Sequence, residues 1–333
     1  MGMNQEEINR QYEELKNKGQ LEFITFHPSY SYEEFVEGIT IDVDPSGKPT
    51  EQLNYKLKQG IFKQMVIRAL IAVVEEGETT DSLGQLLQKY REKIRSFDNE
   101  YDTQKERVEA IKDWWADKPR FVLIIDEINR GDISKIFGEL ITLLEADKRL
   151  GMENEVTVTL PYSQEEFCIP PNLYVIGTMN TADKSIALID VALRRRFGFI
   201  EMSPDLEVLR KEHINKNKKE LEEEGVLDGL ELSVESLKNI NERIAADPTV
   251  GRDKQIGHSF LFKVQTQNDL ILVWKNEILP LLEEYYYGQY SKINELLFNS
   301  ASDSPWLNKT SGISDFETYE DLINFLDKVY KVN

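Results

Sequence analysis

The stretch "FVLIIDEINRGDISKIFGELITLLE", residues 121–145, decides the fold. Five apolar residues, Phe121 to Ile125, run straight into the adjacent carboxylates Asp126 and Glu127, and a helix-like pattern over 132–146 follows. A short apolar run with a charged stop reads as a strand of a mostly parallel sheet. In such sheets, ligands gather beyond the carboxyl ends of the strands. Two acids placed there suit a hard cation and phosphate charge. Asp126 would hold Mg²⁺ through water, and Glu127 would polarise an attacking water. A polar turn closing an apolar strand reads the same way, and "IIDE" alone does not separate the two.

Two further elements narrow the choice. "VIGTMNTADKS" places Asn180 directly after another apolar strand, "NLYVIGTMN" (172–180). A neutral amide there can hydrogen-bond a γ-phosphate oxygen and a water without adding charge. Its structural alternative is a cap on the next turn, a role open to Thr181 and Asp183 as well. "ALRRRF" then ends a helix over 185–197 with Arg194, Arg195 and Arg196. Cations suit a helix carboxyl end, but three guanidinium groups exceed what a cap needs. One of them could stabilise charge developing at a neighbouring subunit's nucleotide.

Outward from this centre, residues 4–18 read as a charged helix, "LEFITFH" (21–27) as a strand, and 60–77 as a helix. "HPSYSYEEFVEGI" reads as an ordered loop with a short acidic turn, and 42–54 as a turn-rich connection. Residues 79–117, highly charged, read as an insertion of surface helices forming a solvated excursion. "NEVTVTLPYSQEEFCIP" reads as a hairpin, and "GFIEM" as a last strand. From Pro204 onward helices dominate. Alternating strands and helices imply an α/β fold with a parallel sheet.

Composition sets the class. Sixty acidic against forty basic residues give a net charge of −20, which repels nucleic acid outside a local basic patch. No run approaches the roughly 18 consecutive apolar residues of a membrane span. The single cysteine, Cys168, excludes an internal disulfide and fits a reducing cytoplasm.

The strings "TFHPSYSYEEFVEGI", "GIFK", "IIDEINRGDISKIFGELITLLE", "VIGTMNTADKSIALIDVALRRRF" and "IGHSFLF" (256–262) resemble the AAA+ module of McrB-type proteins. These are nucleotide-driven motor subunits of modified-cytosine-dependent restriction systems. The resemblance spans roughly residues 21–290. It implies an AAA+ P-loop fold, a three-layer α/β structure on a parallel sheet, followed by a helical lid. Residues 1–203 would form a partial core containing the 79–117 insertion, and 204–333 the lid and carboxyl-terminal helices. Asp126 and Glu127 would be the Walker B pair, with Mg²⁺ on Asp126 through water. Asn180 would be the sensor, and Asn180 to Asp183 the NTAD element beside the nucleotide, GTP or ATP. Arg195 would be the finger acting across a subunit interface, with Arg196 its companion. Gln255 stands where some relatives carry a lid arginine, and His258 packs or caps. The partners implied are further copies in a homo-oligomeric ring, a McrC-like endonuclease subunit, and DNA reached through a domain or subunit absent here. A non-catalytic AAA+ scaffold and a remodelling ATPase of another pathway are the alternatives.

The phosphate-cradling pattern G-x-x-x-x-G-K-[ST] does not occur. "DPSGKPT" has Gly47 and Lys48, but Pro49 stands where a hydroxyl must meet magnesium, and no apolar strand leads into it. The resemblance puts the true loop upstream of "FITFH", with the loop's own strand beside the one ending at Asn180. The expectation is therefore a sheet lacking its first strand and phosphate loop, and feeble nucleotide binding by this chain alone.

Overall fold

The computed structural model describes residues 5–41, 55–74, 82–98, 100–101, 103–182, 194–299, 307–308, 312–313 and 316–331. The chain divides into two compact units, Met1–Gly198 and Phe199–Asn333.

In the first unit, α1 (Gln5–Asn17) leads into β1 (Leu21–Thr25). The short α2 (Tyr32–Phe35) starts from a capping box in which Ser31 and Glu34 satisfy each other's amides. Next come β2 (Glu37–Ile41), β3 (Tyr55–Gln59), α3 (Ile61–Ile71), α4 (Leu83–Asp98) and α5 (Gln104–Ala116). Then follow β4 (Phe121–Asp126), α6 (Ile133–Phe137), β5 (Val158–Thr159), β6 (Glu166–Phe167) and β7 (Leu173–Gly177).

The parallel sheet has the order β1-β4-β7. Its register aligns Leu21, Val122 and Tyr174 in one row and Phe23, Ile124 and Ile176 in the next. Alternation puts Phe121, Leu123, Ile125 and Leu173 on the opposite face. There they are buried with Phe62, Met65, Val66, Ala69 and Leu70 of α3. The Asn172 side-chain amide ties that helix down, donating to Ala69 O at 3.2 Å and Pro119 O at 2.9 Å.

The "VEGI" and "GIFK" strings meet in a buried charge cluster. Lys63 Nζ lies 2.7 Å from Glu37 Oε2 and 2.6 Å from Glu165 Oε2, and the Lys63 and Glu37 side chains are wholly enclosed. Glu37 Oε1 accepts from the Tyr162 and Ser163 amides at 3.0 and 2.8 Å. A charge that far inside requires such complete pairing. The cluster joins β2, α3 and the turn between β5 and β6.

Several elements differ from the sequence expectations. β2 and β3 form an antiparallel hairpin where a loop was expected. The 42–54 connection, "DPSGKPT" included, lies outside the described residues. The helix over 132–146 is broken: Gly138 takes φ 52°, ψ −130°, which favours glycine, and the chain continues as a 3₁₀ segment, Gly138–Leu144. The 79–117 segment is helical but not a solvated excursion, because Leu83, Leu86, Leu87, Tyr90, Ile111 and Trp115 are buried in the main core. "GFIEM" forms no strand, and Ile200 and Met202 are exposed. An extended segment becomes a strand only with a ladder partner. The expected helix over 185–197 lies mostly outside the described residues, which contain only its carboxyl end.

The second unit holds α7 (Leu206–Leu209), α8 (Lys218–Glu223), α9 (Leu227–Ala246), α10 (Gln267–Val273), α11 (Leu279–Tyr285), α12 (Tyr290–Phe298) and α13 (Tyr319–Tyr330). Its separate core gathers Leu230, Val234 and Leu237 of α9 with Leu322, Phe325 and Leu326 of α13. The buried Trp274 indole N–H donates to Ser233 Oγ at 3.0 Å.

Candidate functional site

Asp126 is the last residue of β4, and Glu127 follows in a left-handed conformation, φ 52°, ψ 44°. The turn is tied to the strand on each side. On one, Phe26 N–H donates to Asp126 O at 2.9 Å. On the other, Thr178, the residue after β7, donates its hydroxyl to Asp126 Oδ1 at 2.5 Å and accepts the Glu127 N–H at 3.2 Å. The Glu127 carboxylate points along the same turn, with Oε2 3.4 Å from Arg130 Nε. That oxygen is buried and receives no directed hydrogen bond.

Asn180 stands three residues beyond the end of β7, the strand hydrogen-bonded to β4. Its backbone carbonyl accepts from the buried Asn129 side-chain amide at 3.3 Å, linking the two strand ends. Asn180 Oδ1 accepts the Ala182 N–H at 2.9 Å, forming an Asx turn. The capping use of this side chain is therefore present, and the amide nitrogen remains as the group with donors to offer. Asp183 lies outside the described residues.

The three arginines differ. Arg194 and Arg195 are exposed. The Arg196 side chain is only 6% exposed, and its Nε lies 3.0 Å from Glu145 Oε1. Arg196, expected as a companion finger, is thus turned inward onto its own unit, whereas Arg195, like Arg194, is exposed. In the second unit, Gln255 Nε2 donates to Asn241 O at 3.3 Å. His258 Nδ1 accepts the Asp205 N–H at 3.0 Å, a capping role, and its ring lies beside Phe262.

The sequence reading missed Thr178, Asn129 and Glu145. Period-2 alternation places Thr178 on the same side of its strand as Asn180, which was the available clue. The donor set fits a nucleotide-bound magnesium ion. It offers one anchored carboxylate and, beside it, a carboxylate oxygen that faces Arg130 without a directed hydrogen bond, both hard ligands. Mg²⁺ takes few protein ligands and keeps much of its water. Among the described residues, no cluster of three or more His, Cys, Asp or Glu side chains could cage a metal on its own.

Comparison with known proteins bears on the fold and the family. A family profile described as the AAA domain (dynein-related subfamily) matches residues 2–197, and one for the McrB alpha-helical lid domain matches residues 233–294. The type IV methyl-directed restriction enzyme EcoKMcrB subunit of Escherichia coli (strain K12) is 32% identical over 289 residues, 83% of this chain and 50% of that protein. The type II restriction enzyme BsuMI component YdiS of Bacillus subtilis (strain 168) is 25% identical over 313 residues, 89% of this chain and 78% of that one. The chain thus spans about half the length of the Escherichia coli relative. With a parallel α/β sheet, acids at the end of its middle strand and a matched helical lid, the chain belongs to the AAA domain family as a McrB-type AAA+ protein.

Proposed function

We propose that this chain supplies the Walker B, sensor and lid parts of a McrB-like motor hydrolysing GTP or ATP in a homo-oligomeric ring to drive a McrC-like endonuclease subunit. DNA would be read by another domain or subunit. The observation that carries the reading is the convergence of Asp126, Glu127 and Asn180 at the same ends of two hydrogen-bonded parallel strands. Names of relatives support the setting, since both are restriction-enzyme components.

Each side chain then has a task. Glu127 accepts a proton from the attacking water. Asp126, with one oxygen held by Thr178, would use the other to hold the metal through water. When bound, Mg²⁺ supplies neutralisation of charge on the β- and γ-phosphates. Asn180, its carbonyl already engaged, donates from Nδ2 to the γ-phosphate or the water. Asp183 would support that element. Arg195 reaches the neighbouring subunit's nucleotide, where a finger contributes 10³- to 10⁵-fold in rate on the order seen in other nucleotide hydrolases. Arg196 instead pairs with Glu145 of its own unit. The phosphates would be gripped by a loop, with its own strand and helix, that this sequence does not contain. That strand would lie along the outer edge of β7, which has no partner among the described residues.

The test is hydrolysis by the assembly that contains the phosphate loop. Glu127→Gln is expected to lower turnover by roughly 10²-fold or more, with nucleotide binding retained. Turnover near that of the parent protein would remove the assigned role. GTP against ATP competition in the same assay decides the base.

A further inference from the structure

Thr178 makes four hydrogen bonds to residues 125–128. Its N–H donates to Ile125 O at 2.9 Å, and its carbonyl accepts from Ile128 N at 2.9 Å. Its hydroxyl donates to Asp126 Oδ1 at 2.5 Å and accepts from Glu127 N at 3.2 Å. One hydroxyl has a single proton and two lone pairs, so both side-chain bonds form together. The amides on either side of Glu127's left-handed Cα thus end on the same residue. For a residue with a Cβ, that conformation costs roughly 1–2 kcal/mol and needs outside support.

We propose that Thr178 is a positioning residue for the hydrolysis assigned above, setting the rotamer of Asp126 and the backbone of Glu127 through one hydroxyl. The inference rests on that reading of the site. The hydroxyl fixes one carboxylate oxygen, so the other is presented in a constant direction to the metal's water. Its acceptor side helps hold Glu127 in its left-handed backbone conformation, φ 52°, ψ 44°. The γ-methyl of a β-branched residue limits χ1 and keeps the hydroxyl between the two strand ends. A hydroxyl donates strongly to Asp126 and accepts from Glu127 with the same atom, whereas an alkyl group does neither and a thiol does both only weakly.

The experiment uses the complete hydrolysing assembly and measures kcat, KM for nucleotide, and the Mg²⁺ concentration giving half-maximal rate. Thr178→Val keeps the shape and loses the hydroxyl; Thr178→Ser keeps the hydroxyl. Outer-shell partners of metal ligands are worth roughly 10–100-fold in activity or metal affinity. Thr178→Val is therefore expected to lower kcat and raise the Mg²⁺ requirement within that range, with KM for nucleotide changed less than about twofold. Thr178→Ser should recover most of both. If the valine variant does not fold, Thr178→Ala replaces it under the same expectations. Parent-like kcat and Mg²⁺ dependence without the hydroxyl overturns the inference. So does a serine variant as impaired as the valine one, or a parallel loss in KM and thermal midpoint that marks mere destabilisation. Glu127→Gln, run alongside, separates the failures. An inactive Glu127→Gln with an unaffected Thr178→Val sinks Thr178 alone, whereas a fully active Glu127→Gln sinks the site assignment itself.

Discussion

The two faces of the β1-β4-β7 sheet share the same three strands but meet opposite fates. On one, Phe121, Leu123, Ile125 and Leu173 are buried beneath α3. On the other, Phe23 is 51%, Tyr174 45% and Ile176 52% exposed, although their row is as apolar. Parallel strands in α/β proteins are normally covered on both sides. The composition of the exposed row is therefore that of a surface meant for burial, and Asp126 stands at the end of the same face. In the proposed assembly a helix following the phosphate loop would cover the apolar row and start beside that acid, while the loop's strand extends the sheet edge at β7.

This contrast can be broken at several points. The largest effect is expected at the cover: Lys63→Met leaves Glu37 as an enclosed, uncompensated charge and should cost about 3–5 kcal/mol in chemical denaturation. Leu123→Ala, in the covered face, should cost about 2–5 kcal/mol by the same measurement. The acid dependence of the cover is a smaller effect. Burial alone would raise the Glu37 pKa, but the Lys63 ammonium and the Ser163 amide outweigh it and hold the carboxyl below its ordinary value of 4.5. Its contribution is thus complete above that value and lost as pH falls through the lower, folded one. Stability of the parent should converge on that of Glu37→Gln over this acid range. Smallest is the open face, where Ile176→Ala should change the stability of the isolated chain by less than about 0.5 kcal/mol. If Ile176→Ala costs as much as Leu123→Ala, the two faces are not different and the cover is already in place.

Much of the site was legible because its chemistry is local. An apolar strand followed by two acids needs only a few residues to announce itself, and "FVLIID" does form the middle strand. The amphipathic helices of 79–117 were visible as helices, yet their charge hid an apolar stripe at Leu83, Leu86, Leu87, Tyr90 and Ile94 that packs inward. The β2–β3 hairpin escaped notice because Glu37, Gly38, Lys56 and Lys58 give its strands no buried alternation, and the connection between them is long. "GFIEM" misled in the other direction, since apolar and β-forming residues do not make a ladder without a neighbour. Thr178 was invisible for a different reason. A threonine near a strand is explained by propensity alone, and only the partner strand reveals that its hydroxyl meets the Asp126 carboxylate and the Glu127 backbone N–H.

The left-handed backbone at Glu127 has a consequence for how this turn can change. Glycine would sit there with less strain, so Glu127→Gly relaxes the main chain while deleting the carboxylate. If that carboxylate moves the proton, the most comfortable residue for the turn is the one that silences the motor. Drift toward a sturdier fold and upkeep of turnover would then pull in contrary directions at a single codon.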